Sequence, residues 1–141
     1  MSTFTPAISA EPVVRDALDA LFDGTREGLV KARVVTETPA NLLEELPAIQ
    51  VETTNTTEQV LTLEIAQVMV STFGPDRVTT RDTAMAVHTA MVMLLPGTSI
   101  GGAFIAEVKV LQRPKSAPYG NTSLRRFMAL YQVAVRSVPT V

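Results

Sequence analysis

The chain has 141 residues, the size of one domain, and contains no cysteine and a single histidine. These counts exclude a disulfide scaffold, a thiolate zinc site and a cysteine nucleophile. A net charge of −2 and 5% aromatic residues argue against a basic nucleic-acid surface or a base-stacking platform. With 18% charged residues in a chain that is 46% hydrophobic, polar cover is scarce, which points to a subunit that hides surface against neighbours.

Residues 1–10 read as a loose tail within a single domain, 1–141. Ser9 before Glu11-Pro12 reads as a helix cap with proline in the first turn. Val14, Leu18, Leu21 and Phe22 follow at helical spacing, and Gly24 stops the helix. Val30, Ala32 and Val34 alternate with Lys31 and Arg33 in a half-buried strand. A short connection over 39–46 leads into a second strand at Leu46–Val51. The polar run Glu52–Glu58, rich in Thr and Asn, reads as a turn. The longest alternating segment, Val60–Phe73, is the third strand. Thr79 or Thr80 caps a second helix that ends at Leu95, before Pro96-Gly97. A glycine-containing loop at 98–102 precedes a strand at Phe104–Leu111, a Pro/Gly loop at 113–123 and a closing strand at Leu124–Val138. The order α-β-β-β-α-β-β predicts an α+β fold: a mainly antiparallel sheet of four to five strands with two flanking helices.

Charge divides sharply along the chain. Residues 1–95 hold six Lys/Arg against thirteen Asp/Glu, a balance of −7; residues 96–141 hold six Lys/Arg against Glu107 alone, a balance of +5. That asymmetry predicts an acidic and a basic face. Two features exceed what a lone subunit needs: two over-long strands and a helix apolar on all sides. The fourteen-residue runs 60–73 and 124–137 would each span about 46 Å if straight. In the second helix, Met85, Val87, Met91, Val92, Met93, Leu94 and Leu95 spread round nearly the whole wheel, as in a helix buried on all sides.

Motifs for chemistry are sparse. His88 sits on the apolar side of its helix and reads as a hydrogen-bonded core or interface residue. No serine lies in a Gly-x-Ser-x-Gly elbow, and there is neither a Walker loop nor a Gly-x-Gly-x-x-Gly. One histidine with scattered carboxylates supplies no metal-ligand spacing, so neither metal nor cofactor is expected. Glu44-Glu45 reads as a solvated turn. The apolar stretch Ala84–Leu95 is too short to span a bilayer, and the first residues lack a signal-peptide pattern, so assembly in the cytoplasm is expected.

The layout over residues 11–137 resembles the tail terminator proteins of long-tailed siphophages, the minor tail or head–tail joining proteins. The likeness lies in the first helix ending Leu21-Phe22, the segment Leu46-Pro47-Ala48-Ile49-Gln50-Val51, the long strand to Phe73 and the helix ending Leu94-Leu95-Pro96-Gly97. The Pro/Gly loop at 114–120 and the closing Arg126-Phe127-Met128-Ala129-Leu130-Tyr131-Gln132-Val133-Ala134-Val135-Arg136 also fit. Many relatives carry a Gly-Gly turn where this chain has Thr53-Thr54-Asn55, and a tryptophan where it has Phe73.

The resemblance implies a non-enzymatic virion protein in the neck region. It would form a hexameric ring that caps the major tail tube protein, stops its polymerisation and meets the head completion or connector protein. DNA would only pass through the lumen, whose wall is expected to be acidic or neutral, and no membrane is involved. Subunit contacts are expected at Arg125, Arg126, Tyr131 and Arg136 of the closing strand, where no acid occurs between 108 and 141, and at Met85 and Met93 of the apolar helix. Two alternatives stand beside this reading: a head-completion or adaptor protein of the same assembly, and a small-molecule-binding α+β module, which a deep pocket with convergent polar groups would favour.

Overall fold

The computed structural model describes residues 9–60, 62–120 and 123–137. Helix α1 (Ala10–Leu21) precedes β1 (Arg33–Val35), β2 (Ala48–Val60) and β3 (Leu63–Gly74). Helix α2 (Arg77–Thr89) runs on through a π-helical turn, Ala90–Leu94, into β4 (Ser99–Ile100), β5 (Ala103–Ala117) and β6 (Arg125–Ser137). The strands form one curled sheet in the order β1-β2-β3-β6-β5-β4. The architecture is α+β, as expected, but among the described residues the sheet has six strands rather than four to five, and it is mixed: β1 pairs β2 in parallel, while the other pairings are antiparallel.

Each departure has a local cause. The 36–47 connection, with a short 3-10 turn at Leu42–Glu44, is a dozen residues long, enough to carry the chain back and lay β1 beside β2 in the same direction. The Thr/Asn run expected to turn continues β2 instead, with register shifts between Thr53 and Asn55 and between Thr56 and Glu58. Threonine is β-branched and suits a pleated strand; this stretch is polar because it is exposed, not because it bends. The sixth strand, β4, lies in the expected glycine loop. Gly101 and Gly102 both adopt positive φ (57° and 79°), as a two-residue hairpin demands, and place Ile100 opposite Ala103.

The helix ends also differ from expectation. Ser9 makes no side-chain cap; the Ala10 N–H donates instead to Glu64 Oε1 of β3, 2.9 Å away and buried. Ala10 is therefore helical and buried rather than part of a loose tail, and residues 1–8 lie outside the described residues. Asp76, not a threonine, caps α2: its Oδ1 accepts the Thr79 N–H at 2.8 Å. That bond and a second from the Thr79 hydroxyl hold the Asp76 carboxyl below its ordinary range. Gly74 ends β3 where a side chain has no room, since a Cβ there would meet the Thr80 hydroxyl and lie 3.2 Å from Thr80 Cα.

Both helices cover the same face of the sheet. Ala66, Val68 and Val70 of β3 and Ala129, Tyr131, Val133 and Val135 of β6 point into this core, against Val14, Leu18, Phe22, Val87 and Met91. The alternate residues, Ile65 and Met69 of β3 with Met128 and Leu130 of β6, lie on the opposite face and are only partly covered. Tyr131 apart, the smaller side chains thus meet the helices. One end of the far face is closed by a second cluster of Leu42, Ala48, Phe73 and Leu124, with Leu46 and Tyr119. The two long runs do not project: β3 and β6 pair along their length, from Leu63–Arg136 to Gly74–Arg125, and the irregularity falls in the flanking strands β2 and β5.

Candidate functional site

His88 and Tyr131 meet beneath α2. Tyr131 is fully buried on β6, and its hydroxyl lies 2.7 Å from His88 Nδ1 on the helix. Burial pushes the Tyr131 phenol well above its ordinary value, so it remains protonated. Burial, and secondarily the charge of Arg113, push the His88 imidazole below 6.5. A neutral imidazole accepting the phenol proton satisfies both groups. This is a structural fastener between helix and sheet, which agrees with reading His88 as a hydrogen-bonded residue on an apolar side.

The fastener sets a pH dependence. The folded chain disfavours the charged imidazole of His88 relative to the unfolded chain, so as pH falls through the ordinary histidine range the unfolded state binds more protons and stability falls. As the one histidine of the chain, His88 is the side chain whose ordinary titration falls between pH 5.5 and 7.5. Urea midpoints should decline from pH 7.5 to 5.5, and the decline should flatten in His88→Leu. Midpoints independent of pH in the native chain would contradict it.

The other residues expected at contacts occupy different settings. Met93, in the π-helical turn, is 71% exposed, and Met85 on α2 is 37% exposed; with Val78 they leave α2 an outward apolar strip. The helix is therefore not buried on all sides. Arg126 donates from Nη2 to the Pro118 carbonyl at 2.8 Å and lies 5.4 Å from the Tyr119 ring centroid, while Phe73 meets Tyr119 edge-on at 5.2 Å. Arg126 thus pins the 118–120 segment to the sheet. Arg136 is exposed and stacks on Phe104 at 4.8 Å; Arg125 is exposed and donates to the Leu124 carbonyl at 3.2 Å. The six residues do not converge on one site: Tyr131 belongs to the core, Arg126 to a loop clamp, Met85 and Met93 to the outward strip of α2, and Arg125 and Arg136 to opposite ends of β6.

A cleft of about 1130 Å³ runs between α1 and the outer side of β1. Arg15, Asp19, Asp23, Lys31 and Glu37 line it together with the Arg33–Glu45 ion pair at 3.4 Å, over a floor that includes Phe22 and Val34. It is broad and open to solvent, and its charges alternate in sign rather than converging on one point. Among the described residues, no group of His, Asp and Glu is arranged to hold a metal ion, and no helix is long and apolar enough to cross a membrane.

Two features of the fold leave no mark in the residue pattern. The sheet edges were hidden because strand order is set by long-range pairing. The contribution of Glu64 was hidden because a carboxylate alternating with apolar residues reads as a solvated position, whereas here it caps a helix 54 residues away in sequence.

No family model and no curated protein matches the chain. Among solved structures, the chain is similar to one described as part of the virion of a native gene transfer agent particle. The two share 17% sequence identity and superpose with a TM-score of 0.61, over 88% of this chain and 92% of that one. The likeness is one of fold, and it runs through nearly the whole of both chains.

Proposed function

We propose that this chain is a structural subunit of a phage-like virion and, within it, the tail terminator. In this role it forms a hexameric ring at the head-proximal end of the tail tube, stops addition of the major tail tube protein and presents a surface to the head completion or connector protein. The observation that carries the proposal is the near full-length likeness in fold to a chain of a gene transfer agent virion. The element order that resembles terminator proteins supports the finer assignment, as do the outward apolar residues Val78, Met85 and Met93, which a lone subunit has no use for.

The role is mechanical and requires no bond to be made or broken. Met85, Met93, Arg125 and Arg136 supply contacts to neighbours, while Tyr131 and Arg126 hold α2 and the 118–120 segment in the shape those contacts need. The lumen presents acidic or neutral side chains, so that DNA slides through without adhering. Subunits assemble in the host cytoplasm and reside in the neck of the finished particle. Electron microscopy of particles carrying a tagged copy tests the placement. A ring of tag density between head and tail is expected; density along the tube, at the tail tip or on the head shell would contradict it.

A further inference from the structure

We propose that neighbouring subunits of the ring meet edge to edge, the acidic outer edge of β2 in one copy against the basic outer edge of β5 in the next; this rests on the ring reading above. The closing strand β6 lies inside the sheet, flanked by β3 and β5, so the edges open to a neighbour are those of the outer strands. β1 covers β2 only at Ala48–Gln50, and β4 covers β5 only at Ala103 and Phe104. Among the described residues, the rest of each long strand has no strand on its outer side.

The two open edges carry opposite charge. Residues 51–60 contain Glu52 and Glu58 and no base. Glu11 of α1 brings a further carboxylate to β2 at Thr53, whose N–H it accepts at 2.9 Å. Residues 106–117 contain Lys109, Arg113 and Lys115 against Glu107, a balance of +2. Among the described residues, Glu52, Lys109, Arg113 and Lys115 make no ion pair within their own chain. Beside these bases Val110 and Leu111 stand 37% and 43% exposed, an apolar element at the same edge.

The chemistry of the edges also decides what kind of contact they make. β5 carries three register shifts, Pro114 and two lysines, features that block a continuous backbone ladder. β2 carries two further shifts. The contact is therefore made by side chains, with charge setting register and partner. Its symmetry follows from the same pattern. Like edges brought together by a two-fold axis would place acid on acid or base on base, whereas β2 against β5 is head-to-tail, the arrangement that closes into a ring.

The absence of native cysteine gives a clean test. Thr56 on the β2 edge and Leu111 on the β5 edge are both exposed. Particles assembled with the double variant Thr56→Cys/Leu111→Cys, once oxidised, should give a covalent ladder on a non-reducing gel that ends at the hexamer, while each single variant remains a monomer. Adding Lys109→Glu and Lys115→Glu should weaken the ladder by about tenfold or more, and adding Glu52→Lys and Glu58→Lys to these should restore it. Single variants that dimerise, or a double variant that stays monomeric in particles whose ring is visible by microscopy, would overturn the edge contact. Particles that never incorporate the native chain would overturn the ring reading itself, and the contact with it.

Discussion

Replacing Phe22 with alanine should lower the free energy of unfolding by about 3–5 kcal/mol, a large share of the roughly 5–15 kcal/mol that holds a domain together. Phe22 is fully buried at the end of α1, in the core shared by the helices and the sheet. Its backbone works in two directions: the N–H donates to Leu18 O at 2.9 Å, closing the helix, and the carbonyl accepts the Ala32 N–H at 2.9 Å, fastening the helix to the approach of β1. Truncation leaves a cavity at the point where three elements meet, and β1, only three residues long, has little with which to refill it. Urea or guanidinium titration reads the effect directly. Phe22→Leu, which keeps most of the apolar volume, should lose about 1–1.5 kcal/mol. A loss under about 1 kcal/mol in Phe22→Ala would show that this end of the core is not the joint described here.

Much of the fold was legible from periodicity. α1 and α2 carry apolar residues at helical spacing between stop signals. Leu124–Val138 contains the whole of β6, and Val60–Phe73 contains β3 except its last residue, Gly74, although Val60 itself ends β2. What escaped has a common origin, for a residue pattern reports burial and not partners. Glu52–Glu58 is polar because it lies at an open edge, and polarity alone cannot separate an exposed strand from a turn. β1 is parallel to β2 because of how the 36–47 segment returns, which nothing in Val30–Val34 encodes. The π-helical turn that turns Met93 outward keeps the apolar composition of a buried helix while changing which side is exposed.

The candidate site was legible to the same extent. The basic character of the last third is plain in the sequence, but its assignment to an edge depends on β6 being interior and β5 exterior. The acidic edge that faces the other way was concealed inside the presumed turn. Tyr131 and His88, 43 residues apart, show the same limit: each looks apolar-facing alone, and only the fold brings hydroxyl and imidazole within 2.7 Å.

The largest functional effect should follow removal of the chain during particle production. A tube whose subunits can always add another layer has no intrinsic length once its cap is missing, so growth continues until tube protein runs out. The head-completion alternative predicts something else, tails of ordinary length that fail to join heads, because the tube would still be capped. Tail length, measured by electron microscopy in cells producing the particle without this chain, therefore separates the two roles and tests the central claim most directly. Overgrown polytubes, returning to normal length when the native chain is supplied, are the predicted result. Tails of normal length, joined to heads or free, would contradict the terminator role.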